Sequence, residues 1–213
     1  MELLLIRHAE PRRVSDAGAA DPGLTETGVK QAERLAGYLA EGNPSEVTAV
    51  YCSTQRRAVE TARRLAERLG VPLTRDPDLL EFDHGATFYT PVEEYTGDKA
   101  AQWEGIAAGR WGDHVFDLPA FRARVHAAME RIAAAHPSTT VAIICHGGVI
   151  NSYLGEVIGA SGLMFFAPAY TSITRVAAAR SGHRQMLSAN ETGHLDRPAA
   201  ASGASPRRGP ARA

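Results

Sequence analysis

Two apolar runs, Leu3-Leu4-Leu5-Ile6-Arg7-His8 and Val141-Ala142-Ile143-Ile144-Cys145-His146-Gly147-Gly148, each stop at a histidine. Continuous apolar runs this short read as strands buried on both faces, the kind found in parallel sheets. In an open α/β sheet the ligand crevice lies beyond the carboxyl ends of the strands. If the two runs are neighbours in one sheet, both histidines open into the same crevice, and two imidazoles held at one sheet edge form a reactive site.

Working outward, strand and helix signals alternate along most of the chain. This predicts a three-layer α/β/α sandwich around a mostly parallel sheet. Thr25 or Thr27 caps a first helix whose apolar face carries Ala32, Leu35, Ala36 and Leu39 and which ends before Gly42-Asn43-Pro44. Val47–Cys52 reads as a strand, and Ser53 is placed to cap a second helix that runs to Gly70. A short strand near 72–75 precedes the loop that carries Glu81, Asp83 and His84. Residues 87–112 are richer in aromatics and read as an insertion or lid, taken broadly as 83–116. A long helix from about Pro119 to His136 leads into the second key strand, and late strands near 172–179 and 185–189 fit an antiparallel edge.

At 213 residues the chain fits one ordinary domain, expected over 1–195. The stretch 196–213, rich in Ala, Gly, Ser, Pro and Arg, is expected to be a disordered tail. That tail holds four arginines against Asp196, a local +3 within a formal total of −1, leaving the body near −4. A mildly acidic body lacks the basic stripe of a nucleic-acid-binding surface. Cys52 and Cys145 cannot build a disulfide framework, so a reducing compartment is expected. No stretch approaches the roughly 18 apolar residues of a membrane span. The N-terminal run is too short for a signal peptide, so the reading is cytoplasmic, with no membrane partner.

Four segments supply Arg7-His8, Arg57, Glu81 and His146 at or just beyond strand ends. Two arginines beside two histidines suit a doubly charged anion, because guanidinium donates parallel hydrogen bonds and stays charged. Gly147-Gly148 opens a helix whose free N–H groups favour an anion, and the missing side chains allow close approach. There is no G-x-x-x-x-G-K-[ST] loop for nucleotide hydrolysis and no G-x-S-x-G elbow for a serine esterase. Asp83 and His84 with the two strand-end histidines lack any metal-ligand spacing, so no metal and no cofactor is expected. Cys145 beside His146 reads as a core thiol, since adjacent strand residues face opposite ways. A neutral imidazole can attack phosphorus, and a carboxyl, Glu81 or its neighbour Asp83, can protonate the departing oxygen.

With these residues in this order the chain resembles the histidine phosphatase superfamily, the phosphoglycerate mutase-like proteins, from Met1 to about Leu195. Arg7-His8 is similar to the family's Arg-His-Gly signature, and Leu24-Thr25 through Gly28, Gln31 and Ala32 to its first helix. Ser53 to Ala62 resembles its second arginine motif, His146-Gly147-Gly148 its second-histidine motif, and Asn190 to Leu195 its closing segment. The resemblance implies His8 as phosphorylated nucleophile and Glu81 as proton donor. It also implies a phosphate held by Arg7, Arg57, His146, Gly147 and Thr25. Two positions depart from the pattern: Ala9 stands for the usual glycine, and Val14 for an asparagine common in mutase-like members, whose contact Arg12 or Arg13 would supply. The implied activity is metal-independent hydrolysis of a small phosphorylated metabolite through phosphohistidine. The alternatives are a cofactor-dependent phosphoglycerate mutase, and an inactive phospho-ligand binding module on the same fold.

Overall fold

The computed structural model describes residues 1–13, 20–91 and 94–196. Expectations for Val14, for the loop around Asp16 and Gly18, and for the tail from 197 onward lie outside the described residues. The centre of the molecule is a six-stranded sheet. Its strands in chain order are β1 (Glu2–Arg7), β2 (Val47–Cys52), β3 (Leu73–Arg75), β6 (Thr140–Cys145), β7 (Ile173–Ala178) and β8 (Arg184–Glu191), arranged as β3-β2-β6-β1-β7-β8. The two strands quoted above are therefore neighbours. They pair in parallel from Glu2↔Thr140 to Arg7↔Cys145. β2 and β3 extend the parallel run, while β7 and β8 add the antiparallel edge expected from the sequence.

Side-chain alternation assigns each strand residue to one of two cores. Leu3, Leu5, Val141, Ile143 and Cys145 pack on the face covered by helices α4 (Leu118–Ala135) and α5 (Gly147–Ile158). Leu4, Ile6, Ala142 and Ile144 face the other way, onto α1 (Glu26–Ala40) and α2 (Arg56–Leu69). Leu3 to Ile6 are completely buried. Each such side chain contributes about 1.5–3 kcal/mol relative to exposure, so the two cores fix which way the strands face. This is the expected three-layer arrangement.

Helix ends follow the sequence with one correction. Thr25 is the N-cap of α1, and its Oγ1 accepts from the Gly28 N–H at 2.9 Å. Ser53 does not cap α2. Gln55 holds that position without a side-chain cap, and Ser53 Oγ instead accepts from the Gln55 N–H at 3.3 Å. Three residues, Ser53 to Gln55, separate β2 from α2, and the last of them takes the cap position. α2 then ends at Gly70 in the left-handed conformation (φ 66°).

Within the stretch 83–116, Ile106 and Trp111 join the core that lies under α4 and α5. The described residues of the stretch include α3 (Lys99–Ala107) and a two-stranded hairpin of β4 (Arg110–Trp111) and β5 (His114–Val115). Tyr89 and Trp111 are buried here, whereas Tyr95 and Trp103 are exposed. Among the described residues no helix is long and apolar enough to cross a membrane.

Two glycines of α1 predict opposite outcomes. A Cβ on Gly28 would lie 2.1 Å from the Glu10 carbonyl oxygen, whereas one on Gly37 meets nothing within 4 Å. Gly28→Ala should destabilise by about 1–3 kcal/mol through overpacking against backbone. Gly37→Ala should stabilise by about 0.5–1 kcal/mol through helix propensity. Thermal melts of the two variants check the pair, and shifts of the same sign would contradict this packing of α1 on the strand-end loop.

Candidate active site

The register of β1 and β6 brings the two histidines together. The His8 N–H donates to the Cys145 carbonyl at 2.9 Å, and the two imidazole centroids are 5.1 Å apart. On the other side of β1 the Thr171 N–H donates to the Arg7 carbonyl at 3.0 Å. Thr171 holds φ 58°, a rare conformation for a β-branched residue, and its Oγ1 lies 3.0 Å from His194 Nε2. The end of β1 is thus clamped between β6 and the segment that enters β7.

His8 is 2% exposed and its Nδ1 is 2.8 Å from the Ala9 carbonyl. A carbonyl only accepts, so Nδ1 carries the proton. Burial, and then the charges of Arg57 and Arg7, hold the His8 pKa well below the ordinary imidazole range. The ring is therefore neutral near pH 7, with its lone pair on Nε2. Ala9 is fully buried against Leu24 and Ala32, and its N–H donates to Thr61 Oγ1 at 3.0 Å. The methyl in place of glycine has a small apolar niche. His146 is the N-cap residue of α5, but its side chain does not cap. Neither of its ring nitrogens has a hydrogen-bond partner among the described residues. Burial, then Arg57, His8 and Arg7, lowers its pKa as well.

Arg57 sits at the start of α2 and is 1% exposed, while its neighbour Arg56 is on the surface beside Glu60. Arg57 Nη2 donates to both oxygens of Asp83, at 3.0 and 3.1 Å, and the Tyr89 ring centroid lies 4.5 Å from the guanidinium carbon. Its Nε and Nη1 make no hydrogen bond among the described residues. Burial alone would lower the Arg57 pKa, but Asp83, Tyr89 and Glu81 more than offset it, so the group stays charged. Arg7 Nη1 donates to the Pro168 carbonyl at 2.7 Å, and the guanidinium lies over Tyr170 at 4.2 Å. Arg7, His8, Arg57, Glu81, Asp83 and Gly147 line one cleft.

Glu81 is 7% exposed and accepts from the backbone at both oxygens, from Phe82 at 3.0 Å and from Gly148 at 2.6 Å. Burial, and then the charge of Asp83, raise its pKa to about 7, against the opposing pull of those two N–H groups and Arg57. Of the Gly147-Gly148 pair, it is Gly148 whose missing side chain admits a close neighbour, and that neighbour is Glu81. A Cβ there would lie 2.3 Å from Glu81 Oε1, whereas one on Gly147 would make ordinary contacts at 3.8 Å. Thr25, expected at the phosphate, is not among the cleft residues. Its hydroxyl donates to Glu10 Oε1 at 2.7 Å while capping α1. Arg12 and Arg13 are also outside the lining, Arg12 donating to the Leu24 carbonyl and Arg13 pairing with Glu94.

Sequence reasoning missed Gln55. Its Oε1 accepts from the Glu81 N–H at 3.2 Å and its Nε2 donates to Asp83 at 3.1 Å, so one side chain orients both carboxyl residues. Cys145 packs in the α4/α5 core, where burial raises its thiol pKa. Among the described residues no cluster of His, Cys, Asp and Glu is arranged to hold a metal ion.

A family model matches nearly the whole of the chain that builds this site. The model of the histidine phosphatase superfamily (branch 1) covers residues 3–192, and the chain belongs to that family. A bifunctional protein of Mycobacterium tuberculosis is 33% identical over 178 residues, covering 76% of this chain and 46% of the relative. The chain thus spans about half the length of that relative. A probable phosphoglycerate mutase of Yersinia pestis is 23% identical over 93% of this chain and 97% of its own. Among solved structures, a phosphoserine phosphatase mutant from Entamoeba histolytica in complex with phosphoserine superposes with a TM-score of 0.71 at 22% identity, covering 91% of this chain and 98% of that one. A mycobacterial glucosyl-3-phosphoglycerate phosphatase complexed with VO3 gives 0.71 at 20% identity, covering 90% and 99%.

The elevated carboxyl can be tested without turnover. Carbon-13 NMR of labelled Glu should show Glu81 titrating near pH 7. In Asp83→Asn the titration should move to lower pH, because a negative neighbour is lost and Arg57 is freed to attract the carboxylate. A Glu81 titration in the ordinary carboxylate range in the unaltered protein would contradict this account.

Proposed function

We propose that the chain is a metal-independent phosphomonoester hydrolase that works through a phosphohistidine on His8. The observation that carries the reading is the His8 ring, whose Nδ1 proton is tied to Ala9 and whose Nε2 lone pair shares a cleft with Arg7, Arg57 and Glu81. The substrate phosphate is held by Arg7 and by the two free donors of Arg57, with His146 and the N–H groups opening α5 close by. His8 Nε2 attacks phosphorus and forms an N–P bond as the P–O ester bond breaks. The fixed positive groups stabilise charge on the equatorial oxygens. Glu81, protonated below about pH 7, gives its proton to the departing alkoxide. Its carboxylate then takes a proton from water, which attacks the phosphohistidine and releases phosphate.

Asp83 is the weaker candidate for acid, since its oxygens already accept from Arg57 and Gln55. We read it as the counter-ion that aims Arg57. Residues 1–195 act as one catalytic unit, with 83–116 closing the leaving-group side through Tyr89 and Trp111. The substrate is a small phosphorylated molecule, and the expected setting is cytoplasmic.

Two experiments test the reading. Hydrolysis of p-nitrophenyl phosphate should persist in EDTA and be abolished by His8→Ala, with circular dichroism confirming the fold of the variant. Loss in EDTA, or survival without His8, would overturn it. Glu81→Gln should slow an alkyl phosphate by about 10²–10⁴-fold but change p-nitrophenyl phosphate far less, because nitrophenolate leaves without a proton. For the alkyl ester, kcat/KM of the unaltered enzyme should fall above about pH 7 as Glu81 loses its proton. Equal effects on both esters would remove Glu81 from the acid role.

A further inference from the structure

The cleft has two chemically different ends. Beyond the phosphate-holding groups, the wall is made by Phe82, Tyr89, Pro91, Trp111, Met164 and Pro168. The aromatic part of this wall is braced from behind. Phe82 stacks on Phe116 at 4.9 Å and meets Trp111 edge-on at 6.3 Å, and Trp111 also contacts Tyr95 at 6.1 Å. Phe82, Tyr89 and Trp111 are each at most 6% exposed. Such packed rings present a fixed apolar surface that loses little entropy when a ligand seats against it.

Charge is as unevenly distributed. Among the described residues the only cations lining the cleft are Arg7 and Arg57, and Arg57 is already paired with Asp83. The chain has two lysines, Lys30 and Lys99, and neither lines the cleft. Arg12 and Arg13, which follow His8 closely in sequence, are engaged with Leu24 and Glu94, and Arg56 with Glu60. A phosphomonoester dianion uses the positive charge of the cleft completely. A second anionic group on the same substrate would meet an apolar wall and the carboxylate of Asp83, with no partner to offset its lost hydration.

We infer that the site selects phosphomonoesters whose leaving group is apolar and uncharged, and rejects those carrying a carboxylate or a second phosphate. The inference rests on the hydrolase reading and narrows it to a substrate class. It places the enzyme after reactions that phosphorylate hydrophobic alcohols or phenols, and not among those that interconvert acidic phosphoesters.

The test compares two esters that share a benzylic leaving oxygen, benzyl phosphate and 4-carboxybenzyl phosphate, with the full chain. They differ in one carboxylate at the far end of the ring. The expected kcat/KM is higher for benzyl phosphate by about tenfold or more. Thr90, half-buried on the cleft rim, provides a second arm, because Thr90→Lys should narrow the ratio by supplying the missing cation. Phosphate release from both esters at equal kcat/KM, or an unchanged ratio in Thr90→Lys, overturns the substrate class while leaving the hydrolase intact. Release from neither ester, nor from p-nitrophenyl phosphate, overturns the hydrolase reading and this inference with it.

Discussion

Everything in this structure depends on the parallel pairing of β1 with β6. The register places Arg7 opposite Cys145, so both strands run out at the same height and the next residue of each is a histidine. A slip of one residue would turn Leu3 and Leu5 away from their core and separate the imidazoles. That slip is opposed from both faces, since alternate residues of each strand are locked into different helix layers. Geometry near His8 is therefore set by the bulk of the hydrophobic core, well away from the polar groups it serves.

The same burial then tunes the chemistry. Taking an ionisable group out of water favours its neutral form, and at this site that one effect acts on three groups in useful directions. It makes both histidines neutral, which leaves His8 nucleophilic, and it raises Glu81 to about 7, which leaves it able to give a proton. Arg57 escapes because Asp83 compensates it. With Asp83 beside Arg57, the two guanidinium groups leave the cleft a small positive charge, which suits the single phosphate dianion of the proposed reaction.

What was legible in the sequence follows from range. The strands could be read because their apolar runs are local, and Thr25 as a cap candidate because capping spans three residues. The antiparallel edge and the family likewise came from short motifs in order. Ser53 reads as a cap from its position alone, and only the path of the chain after β2 shows that Gln55 takes that place. The Gly147-Gly148 pair marks a close approach, but which of the two needs it is not local, since the group that Gly148 must admit is Glu81, sixty-seven residues away. Gln55, Tyr89 and Pro168 act through partners that local sequence does not reveal. Of these, Gln55 lay inside the Ser53 to Ala62 motif and could have been suspected from its place beside Arg57.

The central claim is that His8 Nε2 becomes bonded to phosphorus. The direct measurement is to mix the protein with a phosphomonoester, quench within the first turnover into alkali, where phosphoramidates survive, and map the digest by tandem mass spectrometry. The account predicts one phosphoryl group on the peptide that begins the chain, localised to His8 and removed by mild acid. Phosphate on His146 or on a serine, or turnover with no phosphorylated peptide at any quench time, would contradict it.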